Sequence, residues 1–151
     1  MKAEGTTVVK VTKVTDGDTY KAKLPSGKKI TVRMEGIDAP EKKQKYGKES
    51  TEVLKQLIEG KYINLKVTGI DQYKRILAYT FLTLYQEASF EMVLSGYAWH
   101  FEKYNKNENL KKAQMMAKVK KIGLWADPNP VPPWDFRKQK KQNPIKKVLH
   151  I

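Results

Sequence analysis

The stretch TTVVKVTKVTDGDTYKAKLPSGKKITVRMEGI, residues 6–37, decides the fold. Three segments in it are rich in Val, Ile and Thr and alternate apolar with polar residues, which is typical of half-buried β-strands. The pair Asp16-Gly17 and the run Pro-Ser-Gly at residues 25–27 separate these segments, and both favour tight chain reversals. We therefore predict three strands, over residues 6–15, 19–24 and 28–37.

Downstream of these strands, helical and strand patterns alternate. Apolar residues recur at helical spacing over residues 48–59 and 107–122, and two strand-like segments cover residues 62–70 and 75–84. A shorter helix is predicted between Ser89, as its N-cap, and Gly96. Three strands, a helix and two strands is the element order of an OB-type barrel. The prediction is an α+β, β-rich fold, a five-stranded OB-fold Greek-key barrel with three helices.

The C-terminal part of the chain differs in composition. Four prolines, at positions 128, 130, 132 and 133, favour an extended segment, and six of the eleven residues over 137–147 are basic. A length of 151 residues suits one domain. We predict a domain over residues 1–137 and a basic, flexible tail over residues 138–151.

Composition excludes several classes of site. The chain has no cysteine, which rules out disulfides, thiolate metal sites and cysteine nucleophiles. No apolar run approaches the roughly 20 residues that a membrane span requires, so no membrane partner is expected. The formal net charge of +14 attracts polyanions, which favours nucleic acid as a partner, although a lysine-rich solvated surface would give the same number.

Arginine is scarce in this basic chain. Of the 30 basic residues only Arg33, Arg75 and Arg137 are arginine, and the remaining 27 are lysine. A guanidinium group presents a planar fork that can hold two oxygens of a phosphate or carboxylate at once, which an ammonium group cannot do. The pattern indicates that bidentate geometry matters at Arg33 and Arg75.

Three short motifs gather the residues that could carry chemistry. They are DGDT at residues 16–19, RMEGIDAPE at residues 33–41 and DQYKR at residues 71–75. Each has a plainer interpretation when taken alone: a tight turn, the end of a strand, and a surface loop with a salt bridge. Their order and spacing make the combination far more specific than any one of them.

Together the three motifs resemble the staphylococcal nuclease family, also called thermonucleases. The family pattern has Asp-Gly-Asp-Thr, then Arg followed by Asp-(Thr/Ala)-Pro-Glu, then Asp-x-Tyr-(Gly)-Arg opening a strand. The run Gly-Leu-Trp at residues 123–125, after a basic helix, matches as well. The resemblance covers about residues 7–137. It implies the OB-fold barrel and a Ca²⁺-dependent phosphodiesterase.

The resemblance also implies roles for particular residues. Calcium would be held by the carboxylates of Asp18 and Asp38 and by the backbone carbonyl of Ala39. The catalytic residues would be one glutamate and two arginines: Arg33, Glu41 and Arg75. Phosphodiester hydrolysis needs a positioned water and positive charge around the phosphorus, and these residue types can supply both.

Substrate-binding residues are implied with more departures from the family. Tyr73 matches a tyrosine that lies near a terminal phosphate, and Tyr104 matches one of two tyrosines that flank the base. Lys74 stands where the family has glycine, which adds another charge that attracts phosphate. Glu102 falls opposite the second flanking tyrosine, with Phe101 beside it, so base stacking is expected to be weaker or rearranged.

The function expected from the sequence is a calcium-dependent nuclease acting on DNA and RNA, as a monomer with no obligate protein partner. The alternatives are a noncatalytic nucleic-acid-binding module with the same barrel, and a structural RNA-binding OB protein that would not need the carboxylates. The N-terminal residues lack the apolar stretch of a signal peptide. We expect a secreted or periplasmic protein whose leader is absent from this chain, with a cytoplasmic location as the alternative.

Overall fold

Five strands close into a barrel in this structure, a computed structural model that describes residues 5–141. The barrel strands are β1 (Thr7–Asp16), β2 (Thr19–Lys23), β3 (Lys29–Met34), β5 (Tyr62–Ile70) and β6 (Ile76–Phe81). Their order around the barrel is β1-β2-β3-β6-β5, and β5 pairs with β1 to close it. Strands β3 and β6 run parallel, and the other neighbours run antiparallel. The predicted five-stranded OB-fold barrel is confirmed.

The third predicted strand divides into two. Strand β3 ends at Met34, and a two-residue strand, β4 (Ile37–Asp38), pairs with β7 (Trp99–His100) outside the barrel. The break lies at Gly36, whose φ of +85° is strained for any residue with a Cβ atom. A Cβ there would also lie 2.6 Å from the side chain of Leu110. This turn carries the chain off the barrel and sets the position of Asp38.

Four α-helices are described, one more than predicted. They are α1 (Gly47–Ile58), α2 (Ala88–Leu94), α3 (Glu108–Lys120) and α4 (Pro133–Lys141), and a 3-10 turn covers Gly123–Ala126. The prediction of three helices is wrong because the proline run was interpreted as extended throughout. Proline is favoured at the first position of a helix, where its missing N–H would be unpaired anyway, and Pro133 occupies that position in α4. None of the described helices has the length and apolar character to cross a bilayer.

Helix α4 continues past the predicted domain boundary at residue 137. Residues 138–141 are helical, whereas the sequence predicted that a flexible tail begins at residue 138. The remainder of the predicted tail, residues 142–151, lies outside the described residues. The division into a domain and a tail therefore stays a prediction, and α4 belongs structurally to the folded part that precedes it.

A glutamate, rather than the predicted serine, caps α2. The carboxylate of Glu87 accepts hydrogen bonds from the backbone N–H groups of Ser89 and Phe90, and also from that of Thr80. Ser89 lies inside the helix, and its hydroxyl donates to the carbonyl of Glu35 at 2.8 Å. Ser89 therefore ties α2 to the turn that follows β3.

Two hydrophobic clusters hold the fold together. The larger one fills the barrel and the space beneath α1 and α2, with its innermost barrel residues being Val9, Val11, Tyr20, Val32, Met34, Ile63 and Leu65. The smaller one contains Trp99, Leu124 and Trp125, with Trp134 of α4 packed against it. The ring of Trp99 lies 4.4 Å from that of Trp125 and 5.5 Å from that of Trp134. Through Trp134, α4 is therefore anchored beside the short strand pair β4–β7.

Candidate active site

The Asp-Gly-Asp motif forms the bend that joins β1 to β2. A Cβ atom on Gly17 would lie 1.9 Å from the Ser50 hydroxyl oxygen and 2.9 Å from the Ala39 side chain, so only glycine fits. Asp18 is 7% exposed. Its carboxylate accepts hydrogen bonds from the Thr19 hydroxyl and from the Ala39 backbone N–H, both at 2.8 Å. The bend is thereby bound directly to the segment that contains Asp38.

Asp38 brings the second carboxylate to the same place. It lies on β4, opposite Trp99, and only 1% of it is exposed. One guanidinium nitrogen, Nη2 of Arg33, is 3.5 Å from a carboxylate oxygen of Asp18 and 3.5 Å from one of Asp38. The two predicted metal-binding carboxylates and one predicted catalytic arginine therefore converge on one point.

Backbone carbonyls fix the orientation of Arg33. Its Nη1 donates to the carbonyl oxygens of Met34 and Ile37, each at 2.8 Å. These carbonyls flank the turn at which β3 breaks, so the broken strand itself holds the guanidinium group. Nη1 is bound to protein, which leaves Nη2 directed at the carboxylates.

Burial affects the acidity of these carboxylates. It raises the pKa of Asp38, and the negative charge of Asp18 raises it further, whereas hydrogen bonds from Arg137 and the charge of Arg33 lower it. The pKa of Asp16 is also raised, first by burial and then by Asp18. Buried carboxylates close together are costly unless cations neutralise them. The site is therefore built to attract positive charge.

The third arginine supplies part of that charge. Nη2 of Arg137 lies 2.5 Å from Oδ2 of Asp38, and Nη1 lies 3.3 Å from Oδ1. The same Nη1 donates to Oε1 of Glu41 at 2.9 Å, so the predicted catalytic carboxylate shares one nitrogen with Asp38. We name Asp18, Asp38 and Glu41 the carboxylate cluster. Arg137 was not predicted as a site residue, although the scarcity of arginine in the sequence was the signal that could have found it.

Side chains of the site supply only some of the oxygen ligands that a hard divalent cation needs. Within residues 5–141, no group of three or more His, Cys, Asp or Glu side chains is arranged to hold a metal ion. Two carboxylates, Asp18 and Asp38, lie 3.5 Å from the same nitrogen of Arg33, and Ala39 follows Asp38 directly with its N–H bound to Asp18. Calcium takes six to eight oxygen ligands, many of them carbonyls and water. Asp18, Asp38 and the Ala39 carbonyl therefore suit a partial oxygen shell that solvent and substrate would complete.

Arg75 directly precedes β6 and has other partners than Arg33. Leu77, two residues further on, pairs with Arg33 across β3 and β6. The Nε of Arg75 donates to Asp71 at 2.7 Å and its guanidinium group lies 5.5 Å from the Tyr73 ring centroid. This geometry also agrees with the plainer interpretation of residues 71–75 as a surface loop with a salt bridge. The catalytic role of Arg75 stays a prediction.

Two of the predicted substrate-binding residues lie in that loop. Tyr73 is 70% exposed, and Lys74 is exposed beside it with a φ of +63°. Few non-glycine residues adopt such an angle, which agrees with the family's use of glycine at this position. Both side chains are exposed, so a ligand can reach them from solvent.

The third predicted substrate-binding residue, Tyr104, is linked to α4 through the ring of Phe101. It is 69% exposed, and its ring meets that of Phe101 edge to face at 4.8 Å. The Phe101 ring in turn stacks on Trp134, with centroids 5.3 Å apart and planes 3° from parallel. One face of Phe101 is therefore occupied by α4, which leaves Tyr104 as the more available ring for a base.

Comparison with known proteins finds one family and several relatives that match most of the chain. The model of the staphylococcal nuclease homologue family matches residues 31–127. An Escherichia coli protein named "Uncharacterized endonuclease" is 40% identical over 131 residues, which cover 87% of this chain and 85% of that protein. A Haemophilus influenzae protein of the same name is 40% identical over 134 residues, 89% of this chain and 75% of that one.

A plant relative matches over a shorter region. The Arabidopsis thaliana protein "Staphylococcal-like nuclease CAN1" is 39% identical over 117 residues, which are 76% of this chain and 35% of that protein. The matched family region contains Arg33, the break at Gly36, Asp38, Glu41 and the loop of Arg75. With this match and the convergence of Asp18, Arg33 and Asp38 on one point, the chain belongs to the staphylococcal nuclease homologue family.

Proposed function

We propose that this protein is a Ca²⁺-dependent nuclease that hydrolyses phosphodiester bonds of DNA and RNA with little sequence preference. The observation that carries the proposal is the geometry around Arg33, where two buried carboxylates lie 3.5 Å from one guanidinium nitrogen. Glu41 and Asp38 both accept hydrogen bonds from Nη1 of Arg137. A module that only binds nucleic acid would have no use for three carboxylates beside its anionic ligand.

The residues that would hold calcium are Asp18, Asp38 and, through its carbonyl, Ala39. A bound divalent cation would polarise the substrate phosphate and stabilise the negative charge that develops on it. Arg33 is oriented by two carbonyls, and its Nη2 can donate to an oxygen of a phosphate that binds beside Asp18 and Asp38. Its contribution should be largest in the transition state, where the charge on the phosphate oxygens is greatest.

Glu41 is the group proposed to act on water. Its side chain is partly exposed, in contrast to the buried Asp38, so solvent can reach it. A carboxylate in this position can accept a proton from the attacking water or hold that water in line with the leaving group. The resemblance to the family implies products with 3′-phosphate and 5′-hydroxyl ends. Arg75 would hold a further phosphate oxygen.

One observation favours the noncatalytic alternative. Arg137 contacts both Asp38 and Glu41, so the residues proposed for calcium binding and for water activation already have a cationic partner. A nucleic-acid-binding module with a permanently neutralised cluster would show this arrangement. It differs from the nuclease in one measurable respect, since it would bind nucleic acid without cutting it.

Removal of the cation tests the proposed function. We expect the protein to cleave plasmid DNA in Ca²⁺, to cleave it far more slowly in Mg²⁺, and to lose cleavage when the ion is chelated. End-group analysis should find 3′-phosphates on the products. Cleavage that persists in chelator would contradict the role of the carboxylate cluster, and DNA binding without cleavage in Ca²⁺ would favour the noncatalytic module.

We place the protein outside the cytosol, in secreted or periplasmic form. A nonspecific nuclease would endanger the nucleic acids of its own cell, and calcium is abundant mainly outside cells. We also propose that it acts as a monomer without an obligate protein partner, because the proposed site draws all its residues from one chain. Cell fractionation and size-exclusion chromatography would test these two statements.

A further inference from the structure

Arg137 occupies the carboxylate cluster in a way that a surface salt bridge does not. Both of its terminal nitrogens contact Asp38, and one of them also contacts Glu41. Both oxygens of the Asp38 carboxylate are engaged by this one guanidinium group. Bidentate pairing of arginine with a carboxylate is among the strongest hydrogen-bonded arrangements in proteins, and here the carboxylate is buried.

Helix α4 brings Arg137 from far along the chain. The arginine lies 99 residues after Asp38, and the aromatic contacts of α4 with the rest of the fold run through Trp134, which packs on Trp99 and stacks on Phe101. The segment before the helix is attached by a hydrogen bond from the Gln44 side chain to the Val131 carbonyl. Trp134 thus acts as the anchor, and Arg137, one turn further on, reaches the cluster.

The docked helix is small enough to be released. It has nine residues, and isolated helices of that length are marginal in water. The Arg137 side chain is 41% exposed, so water and ions can reach the ion pair without unfolding the barrel. Docking and helix formation should therefore be coupled.

A divalent cation and Arg137 need the same atoms. Calcium binds carboxylate oxygens at about 2.3–2.6 Å, and both Asp38 oxygens are already within hydrogen-bonding reach of Arg137. Arg33 already lies 3.5 Å from Oδ1 of Asp38, so a metal ion added beside Arg137 would be a third cationic group at one buried carboxylate, and these like charges repel one another. Occupation by the metal ion and full docking of Arg137 are therefore mutually unfavourable.

We propose that Arg137 is an intramolecular competitor for the cation site, so that α4 lowers the metal affinity of the carboxylate cluster until the ion displaces it. The inference rests on the proposed function only in taking Asp38 as a ligand of the ion. When the site is open in only a fraction of molecules, the apparent affinity falls by that fraction. Because coupling is reciprocal, metal binding must also favour release of α4.

Calcium titration of two matched variants tests the competition. Arg137→Gln removes the guanidinium group, and Lys138→Gln removes one positive charge from the next, exposed position of the same helix. We expect Arg137→Gln to bind Ca²⁺ about tenfold or more tightly than the unchanged protein in calorimetry without nucleic acid. Lys138→Gln should match the unchanged protein. Thermal unfolding of all three proteins checks that the barrel is intact.

Hydrogen exchange over α4 supplies a readout that is independent of catalysis. We expect Ca²⁺ to speed the exchange of backbone amides in residues 134–141 of the unchanged protein and of Lys138→Gln. In Arg137→Gln the exchange should already be fast without the ion. A simple structural role for α4 would not make its protection depend on calcium in this direction.

Three results would overturn the competition. The first is Ca²⁺ binding in Arg137→Gln that is unchanged or weaker than in the unchanged protein. The second is stronger protection of α4 when Ca²⁺ binds. The third is the absence of Ca²⁺ binding both in the unchanged protein and in Arg137→Gln. The plasmid digestion described above is scored separately. Cleavage with no competition would refute only the role of Arg137, whereas competition without cleavage would refute only the nuclease.

Discussion

Arg33→Lys is expected to lower turnover by several hundredfold, equivalent to about 4 kcal/mol of transition-state stabilisation, as for the loss of one oxyanion-hole donor. Arg33 contacts two backbone carbonyls through Nη1 and two carboxylates through Nη2. The ammonium group of lysine is a single point charge and cannot hold both pairs while also reaching a phosphate. The charge would be kept and the geometry lost.

The kinetic constants separate geometry from charge. Because the contacts of Arg33 with phosphate should strengthen in the transition state, kcat should fall much more than KM rises. Arg75→Lys should also lower kcat by several hundredfold, since the guanidinium group of Arg75 is positioned by Asp71 through Nε. Lys13→Arg is the control: it exchanges lysine and arginine at an exposed position of β1, away from the site, and should leave turnover unchanged. Near-normal turnover in Arg33→Lys or in Arg75→Lys would refute the bidentate argument for that residue.

Glu41→Gln is expected to abolish most turnover while leaving nucleotide binding largely intact. The amide cannot accept a proton from water at neutral pH, and general bases contribute roughly 10²–10⁴-fold to rates. Its carbonyl oxygen can still accept the hydrogen bond that Nη1 of Arg137 donates to Glu41, so the local structure should survive. The loss should therefore appear in kcat.

Binding and turnover of this variant can be measured on the same protein. Calorimetry should give an affinity for a nucleoside 3′,5′-bisphosphate in Ca²⁺ that is close to that of the unchanged protein. Glu52→Gln, an exposed position on α1, removes the same charge away from the cluster and should keep full activity. Parallel loss of binding and turnover in Glu41→Gln would show that Glu41 holds the ligand or the ion rather than the water.

The loop of residues 71–75 shows how far a motif can be interpreted. The sequence predicted Arg75 as catalytic by resemblance and left a surface salt bridge as the alternative. The structure contains that salt bridge, with Asp71 accepting both from Nε and from the backbone N–H of Arg75. The same bond can position a catalytic guanidinium group, so the kinetics of Arg75→Lys decide between the two interpretations.

The sequence by itself determined the barrel and the local part of the site. Alternating residues specify a strand, and Asp-Gly specifies a bend, through interactions between near neighbours in the chain. The roles of Asp18 and Arg33 came from the resemblance to the family, and the structure shows why their motifs adjoin, because β2 and β3 pair with Thr19 opposite Arg33. Short-range periodicity predicted the two strands but not the pairing between them.

Only the tertiary structure decided where the last helix lies and which carboxylates its arginine contacts. Residues 128–133 carry no periodic signal, and α4 gains its position from Trp134 packing on Trp99 and Phe101, which are distant in the chain. Arg137 meets Asp38 and Glu41 across 99 and 96 residues. Contacts of that separation depend on packing of the whole molecule, because no local pattern records which surface a helix will cover.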